Sequence, residues 1–197
     1  MTMREYYERR APEYDDWYLG TGLHARRERP GWHEELAKLI EALAALPPQR
    51  TLDVACGTGF LTRHLPGSVV ALDASPAMLE EARLRAPKAA LVRGDALPLP
   101  FPNDSFERVF SAHFYGHLDE ADRKRFLGEV RRVGRELVVV DSARNESSPL
   151  DGLDKRVLSD GSQWRVYKRW FRPDDLAAEL GGDVLHDGRW FVGVRAR

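Results

Sequence analysis

The sequence predicts an α/β fold built on a mostly parallel sheet, and three observations carry that prediction. Short apolar runs alternate with segments of helical period along most of the chain. Some of these runs are apolar almost throughout, as in Leu137-Val138-Val139-Val140, which suits strands covered on both faces. The first run, Thr51 to Ala55, leads into a glycine turn, Cys56-Gly57-Thr58-Gly59, the strand–loop–helix order that brings a ligand against backbone N–H groups.

Ahead of that loop, Arg4 to Tyr18 carries Tyr6, Tyr7, Tyr14, Trp17 and Tyr18 among many charges. Such an arm either folds over a site as a lid or docks the N-terminus on the domain surface. Trp32 to Leu46 is a helix, with Leu36, Leu39, Ile40, Leu43 and Leu46 at three- and four-residue spacing, stopped by Pro47-Pro48. Residues 1–50 thus read as a helical arm or lid and 51–197 as the ligand-binding domain. Phe60 to Leu65 is an amphipathic helix start. Val69 to Asp73 is the second strand, and Ser75 caps a helix that opens on Pro76 and ends near Arg85. Ala90 to Arg93 is the third strand; the prolines of Leu97 to Pro102 exclude regular structure after it. Phe106 to Ser111 is the fourth strand, Asp119 to Val133 an amphipathic helix, and Glu136 to Asp141 the fifth strand. Residues 142–172 form an insertion, polar at first and then rich in aromatics at Trp164, Tyr167 and Trp170, placed where insertions cover sites. A short helix, Asp174 to Leu180, precedes a terminal hairpin, Asp183 to His186 and Trp190 to Ala196, joined at Asp187-Gly188. The sum is a Rossmann-like, doubly wound, mostly parallel seven-stranded sheet with an antiparallel C-terminal edge strand.

Composition bounds the function. The net charge of -1 over 197 residues favours neither nucleic acid nor acidic membranes. No apolar run approaches the ~18 residues of a membrane span. The charged N-terminus lacks a signal-type apolar stretch, and Cys56 is the single cysteine, so the expectation is a soluble, cytoplasmic protein without an internal disulfide. His24, His33, His64 and His186 have no metal-like spacing, and the strand-end setting of His113 and His117 argues against a helical ligand pair, so no metal is expected.

The glycine loop argues against a dinucleotide. Thr62 stands where a third glycine would be, and there is no phosphate-loop lysine. Asp53 would repel a pyrophosphate and attract a cationic ligand, unless it is only a solvated loop-end acid. A nicotinamide-dependent oxidoreductase is disfavoured accordingly. Three acids follow successive strands: Asp53, Asp73 and Asp95. Asp73 lies where an acid takes both ribose hydroxyls, Asp95 where one accepts from an adenine amino group, and the N–H of Ala96 where it donates to a ring nitrogen.

Leu52-Asp53-Val54-Ala55-Cys56-Gly57-Thr58-Gly59, Ala71-Leu72-Asp73-Ala74-Ser75-Pro76-Ala77-Met78-Leu79, Arg93-Gly94-Asp95-Ala96-Leu97-Pro98-Leu99-Pro100-Phe101 and Asn103-Asp104-Ser105-Phe106 together resemble the class I S-adenosylmethionine-dependent methyltransferases, in the small-molecule, ubiquinone/menaquinone-biosynthesis-like branch. The likeness is strong from about Thr51 to Val140 and looser outside. It implies that S-adenosyl-L-methionine is the cofactor. Asp53 would sit near its amino group; Ala55, Cys56, Gly57, Thr58 and Gly59 would pack on its methionine and ribose portions. Asp73 would hold the ribose, Ala74 and Met78 would flank the adenine, and Asp95, Ala96 and Leu97 would hold its edge. Ser111 and Ala112 would line the methionine end, and Tyr14 of the arm would close the wall. Ala55 replaces the first glycine of the usual D-x-G-x-G-x-G, a change of one methyl group. Cys56 is read as a packing residue.

A methyl transfer from a sulfonium needs proximity, orientation and exclusion of water, and a base only where the acceptor must lose a proton. Candidate bases follow the fourth strand: His113, Tyr115 and His117, each of which can equally be a packing or capping group. Arg4 to Tyr18, His113 to His117 and residues 142–171 are the expected walls for a small-molecule methyl acceptor. The basic run Arg26-Arg27-Glu28-Arg29 reads as a solvated face. The alternatives are a quinone-precursor C-methyltransferase and a non-catalytic S-adenosylmethionine-binding protein.

Overall fold

Seven strands pair in the order Ala90–Arg93, Gly67–Asp73, Gln49–Val54, Phe106–Ala112, Gly134–Ser142, Phe191–Ala196, Gly182–Asp187 in the computed structural model, which describes residues 3–145 and 148–197. The strands are β1 (Gln49–Val54), β2 (Gly67–Asp73), β3 (Ala90–Arg93), β4 (Phe106–Ala112), β5 (Gly134–Ser142), β8 (Gly182–Asp187) and β9 (Phe191–Ala196). The first five are parallel, and β9 runs antiparallel to both β5 and β8. The terminal hairpin therefore forms the antiparallel edge; its second strand is inserted against β5, and β8 takes the outermost place. The order reverses at β1, so the carboxyl ends of β1 and β4 diverge there and leave a crevice.

Alternation along the strands fills two cores. On one face Val109, Leu137 and Val139 meet Phe126, Val130 and Val133 of α5 (Glu120–Val133) and Leu176 and Leu180 of α6 (Pro173–Leu180). On the other, Phe110, Val138 and Val140 meet Trp32, Leu36, Leu39 and Leu43 of α3 (Trp32–Ala44). The leucines spaced as a helical stripe are thus a sheet-covering layer. The Ser75 cap is as expected: its Oγ accepts from the Met78 amide at the start of α4 (Pro76–Arg85). The expected helix at Phe60 is reduced to one turn, Thr62–His64, although Phe60, Leu61 and Leu65 are buried as the pattern requires.

Two parts stand outside this scaffold. The N-terminal arm forms α1 (Met3–Arg10) and α2 (Asp16–Leu19). The insertion contains an antiparallel hairpin, β6 (Asp151–Val157) and β7 (Gln163–Arg169), that the sequence pattern did not reveal; Glu146 and Ser147 of the insertion lie outside the described residues. Tyr6 of the arm packs with Leu158, Trp164 and Val166 of the hairpin region in a third small core. Arm and insertion therefore share one apolar seam above the sheet ends. Among the described residues no helix is long and apolar enough to cross a membrane.

Candidate active site

Two cavities open above the carboxyl ends of the strands. The first, about 300 Å³, lies over β1, β2 and the segment after β3, and its wall includes Gly57, Asp73, Ala74, Met78, Asp95 and Leu97. Ala55, Ala96, Ala112 and Tyr14 complete much of the rest. Gly57 has φ of 55°, the left-handed region that favours glycine, and a Cβ there would lie at ordinary contact distance, 3.7 Å, from the Tyr14 ring. Ala55 takes a left-handed φ of 58°, the conformation for which glycine is the usual choice at that position.

Asp73 organises this wall. One carboxylate oxygen accepts from the Gly57 amide at 2.9 Å and the other from the Ser75 amide at 2.8 Å. Burial raises its pKa, and these amides act against that shift. Each oxygen has two lone pairs, so the carboxylate keeps acceptor capacity toward the cavity. The arm is tied to the same rim. Glu8 accepts from Ser75 Oγ at 2.5 Å, and Asp15 accepts from Thr58 Oγ1 at 2.5 Å while pairing with Arg85.

Asp53 is buried beside this cavity. It borders a narrow crevice with Cys56, Thr58, Thr62 and Phe60, which adjoins the first cavity through Tyr14, Ala55 and Ala112. Thr62 donates to its Oδ2 at 2.6 Å, and Oδ1 is buried without a hydrogen-bond partner among the described residues. Burial pushes its pKa up to about 7, against the Thr62 hydrogen bond and with help from the Asp73 charge. The residue in place of the third glycine therefore positions this acid. Burial also raises the Cys56 thiol far above its usual range, which fits a packing role.

The second cavity, about 340 Å³, lies under the arm and the hairpin. All three expected acceptor walls contribute to it, and so do Arg27 and Arg29. The basic run is thus not simply a solvated face: Arg29 donates to the Trp17 carbonyl at 2.7 Å and its guanidinium lies 3.8 Å from the Trp32 ring centroid. Strand alternation turns Asp154 and Arg156 of β6 inward, and Lys168 of β7 is buried. Lys168 pairs with Asp141, whose other oxygen accepts from the Gly116 amide at 2.8 Å. Burial lowers the Lys168 pKa against that attraction.

Tyr7, Tyr14, His113 and His117 line both cavities. His117 Nδ1 faces the Tyr167 carbonyl at 2.6 Å, so Nδ1 carries the hydrogen and Nε2 accepts from the Tyr7 hydroxyl at 2.9 Å. Burial drives the His117 pKa well below its usual value and that of His113 down to about 3, with Lys168 and Arg156 adding to both shifts. Both imidazoles are neutral near pH 7. His113 occupies a left-handed backbone conformation, φ 54°, and its buried Nε2 has no partner among the described residues.

Three expected site residues point elsewhere. Tyr115 is fully buried under the sheet, where its hydroxyl donates to Glu179 at 2.7 Å, so it is removed from both cavities. Ser111 donates to the Val54 carbonyl at 3.0 Å and ties β4 to β1. Gly59 faces α4: a Cβ there would meet Ala86 and Ala82 at 3.2 and 3.3 Å, so it serves close packing. Tyr7, Arg10 and Asp15 were covered only by the arm segment Arg4 to Tyr18, and Asp141, Arg156 and Lys168 were not singled out individually. Only the strand alternation of β7, with Trp164, Val166 and Lys168 on one face, offered a signal.

A strand-order reversal at β1, a glycine loop and acids at successive strand ends define a nucleoside-binding α/β fold. Residues 52–137 match the family described as Methyltransferase domain. The chain is 36% identical over 117 residues to the demethylmenaquinone methyltransferase of Renibacterium salmoninarum, covering 56% of this chain and 48% of that one. It is 35% identical over 171 residues to the demethylmenaquinone methyltransferase of Beutenbergia cavernae, covering 77% and 69%. The chain thus spans from about half to just over two thirds of these relatives. Among solved structures it resembles the DhpI–SAH complex, with a TM-score of 0.73 at 26% identity, covering 98% of this chain and 93% of that one. The protein belongs to the S-adenosylmethionine-dependent methyltransferases.

Proposed function

We propose that the protein transfers a methyl group from S-adenosylmethionine to a small-molecule acceptor, with the first cavity as the donor site and the second as the acceptor site. The observation that carries this reading is that the two cavities meet at four shared residues, Tyr7, Tyr14, His113 and His117. Bound in the first cavity, the cofactor supplies an electrophilic methyl group on a positively charged sulfur. The residues present fit it. Asp73 offers two carboxylate oxygens to ribose hydroxyls; Asp95 and the Ala96 amide offer an acceptor and a donor to the adenine edge; Met78 and Ala74 offer apolar flanks. The orphaned buried oxygen of Asp53 suits an ammonium group at the far end of the cleft.

The arm and hairpin exclude water and orient the acceptor, which are the contributions a displacement at a sulfonium needs most. The family match covers residues 52–137, the donor half, so it speaks to the donor more than to the acceptor. Isothermal calorimetry with S-adenosylmethionine, S-adenosylhomocysteine and NAD tests the donor assignment; NAD binding without S-adenosylmethionine binding would overturn it. Labelled methyl transfer into a fractionated metabolite extract tests turnover. No labelled product in any fraction, from protein that binds the donor, would favour a binding protein over an enzyme.

A further inference from the structure

The walls of the acceptor cavity are electrostatically lopsided. Although the chain as a whole carries a net charge of only -1, Arg10, Arg27, Arg29 and Arg156 all line this one cavity. The acids on the same wall are already engaged. Asp154 pairs with Arg156 at 3.0 Å, Glu13 accepts from the Ser159 amide at 2.9 Å, and Asp16 accepts from Thr21. Lys168 is matched by Asp141. Arg10 and Arg29, by contrast, have no carboxylate partner among the described residues. Arg10 donates to the Tyr6 hydroxyl at 2.9 Å, and its guanidinium lies 4.7 Å from the Tyr14 ring centroid.

Two guanidiniums from different segments also flank one ring. Arg10 and Arg156 lie 5.6 and 5.7 Å from the same Tyr6 ring centroid, one from the arm and one from the hairpin. Arg156 is held charged by the Tyr7 and Tyr6 hydroxyls and by Asp154, which raise its pKa against burial, whereas Arg10 has no such carboxylate beside it among the described residues. Their field reaches the junction of the cavities. Arg10 and Arg156 both act on the Tyr7 hydroxyl against the effect of burial, and Arg10, Arg27 and Arg29 add to the burial that holds His24 down to about 4. Such a pair of planar, always-charged forks is the arrangement that recognises a carboxylate or a phosphoryl group.

We infer that the methyl acceptor carries an oxyanion, a carboxylate or a phosphoryl group, and that Arg10 of the arm and Arg156 of the hairpin grip it from opposite sides beside Tyr6 and Tyr7. This rests on the second cavity being the acceptor site. It makes the arm and the hairpin one binding device, since neither supplies both cations. It also sets this acceptor site apart from one shaped for an uncharged ring, for which the Arg10 guanidinium, without a carboxylate partner among the described residues, would be a desolvation cost without return.

Trp17, Trp32, Trp170 and Trp190 line the same cavity, so intrinsic fluorescence reports its occupancy. The protein, first saturated with S-adenosylhomocysteine, is titrated at constant ionic strength with inorganic phosphate, acetate and the neutral isostere acetamide. The expected result is a saturable change with phosphate or acetate and none with acetamide. The tighter of the two anions tells a phosphoryl site from a carboxyl site. Arg10→Gln and Arg156→Gln should each weaken that anion at least about tenfold, with Arg10→Lys and Arg156→Lys in between, because Lys keeps the charge without the fork. Equal responses to acetamide and the anions, no saturable anion response, or wild-type anion affinity in both Gln variants would overturn the inference. Calorimetry with S-adenosylhomocysteine on each variant keeps the two readings apart: a failed donor site appears there, whereas a wrong acceptor class leaves that affinity intact.

Discussion

The two halves of the site are built from different material. The donor half is held by backbone and short-range contacts: a glycine loop, the amides of Gly57 and Ser75 on Asp73, and a helix cap two residues away. The proposed acceptor half is held by long side chains from segments far apart in sequence: Tyr7 on His117, Lys168 on Asp141, Glu13 on the Ser159 amide. A backbone site tolerates change everywhere except at its few glycines and its acid. A side-chain site can be rebuilt for a new acceptor without touching the sheet. That difference explains how one scaffold serves many acceptors while keeping one donor.

The contrast can be broken most strongly at Asp141. Replacing it with Ala strands Lys168, which is buried and has its charge matched there, and removes the acceptor of the Gly116 amide. Urea denaturation should show a loss of about 3–5 kcal/mol, the range for removing one partner of a buried pair. A loss below about 1 kcal/mol would mean that Lys168 finds water or another partner, and that the acceptor half is looser than its packing suggests. Next comes Asp73→Ala, which removes a charged acceptor from two amides and from the proposed ribose contacts. S-adenosylhomocysteine affinity by calorimetry should fall roughly 100-fold, consistent with two charge-assisted hydrogen bonds, while the fold persists. Affinity within about threefold of wild type would move the ribose elsewhere.

The same division decides what could be read from the sequence. The sheet, its helices and most of the donor wall were legible because their signals are local: glycines in a turn, an acid after each strand, Ser-Pro at a helix start. Gly57 and Asp73 stood out by their spacing, while Met78 and Leu97 came only with the family resemblance. Gly59 and Ser111 carried the same signals, but their roles are in packing, since a small residue beside a strand end serves a close helix contact or an interstrand hydrogen bond equally well. Tyr115 follows the fourth strand only two residues after His113, yet it begins the one-turn helix Tyr115–His117 and lies buried under the sheet. The hairpin was illegible because β6 alternates half-exposed with exposed residues, among them exposed Leu153 and Val157, so its pattern carries little hydrophobic contrast. Arg10 and Arg156 lie 146 positions apart, and no local pattern announces that two such residues flank one ring.

A smaller, sharper test separates the halves by pH. Asp53 is raised from 3.8 to about 7 by burial, so the folded protein holds its proton more tightly than the unfolded chain does. Its contribution to stability is therefore full below about pH 4 and is lost as pH rises toward 7. A cation bound beside it favours the ionised form. Donor binding should then release a proton at low pH, and affinity should rise about tenfold between pH 6 and pH 8. Calorimetry in buffers of different ionisation enthalpy measures both effects, and Asp53→Asn should flatten them. A flat profile in the unaltered protein would separate Asp53 from the donor's amino group. The acceptor-side histidines should not contribute in this range, since burial keeps His113 near 3 and His117 well below its usual value.

The smallest expected effect is the one that best distinguishes a lid from a docked arm. Tyr7 is the arm residue that touches both cavities and donates to His117 Nε2. Because His117 Nδ1 is committed to the Tyr167 carbonyl, Nε2 has no proton of its own to offer, and Tyr7→Phe leaves it without its donor. The cost of such a loss is about 1 kcal/mol, or roughly fivefold. If the arm orients the acceptor, that factor should appear in kcat/KM for the acceptor while S-adenosylmethionine affinity is unchanged. If the arm only covers the domain surface, it should appear in thermal stability and leave methyl transfer alone. The arm's contacts favour the first outcome. Glu8 and Asp15 already anchor it to Ser75 and Thr58, so docking does not depend on Tyr7, and Tyr7 lines the junction of the two cavities, the proposed meeting point of donor and acceptor.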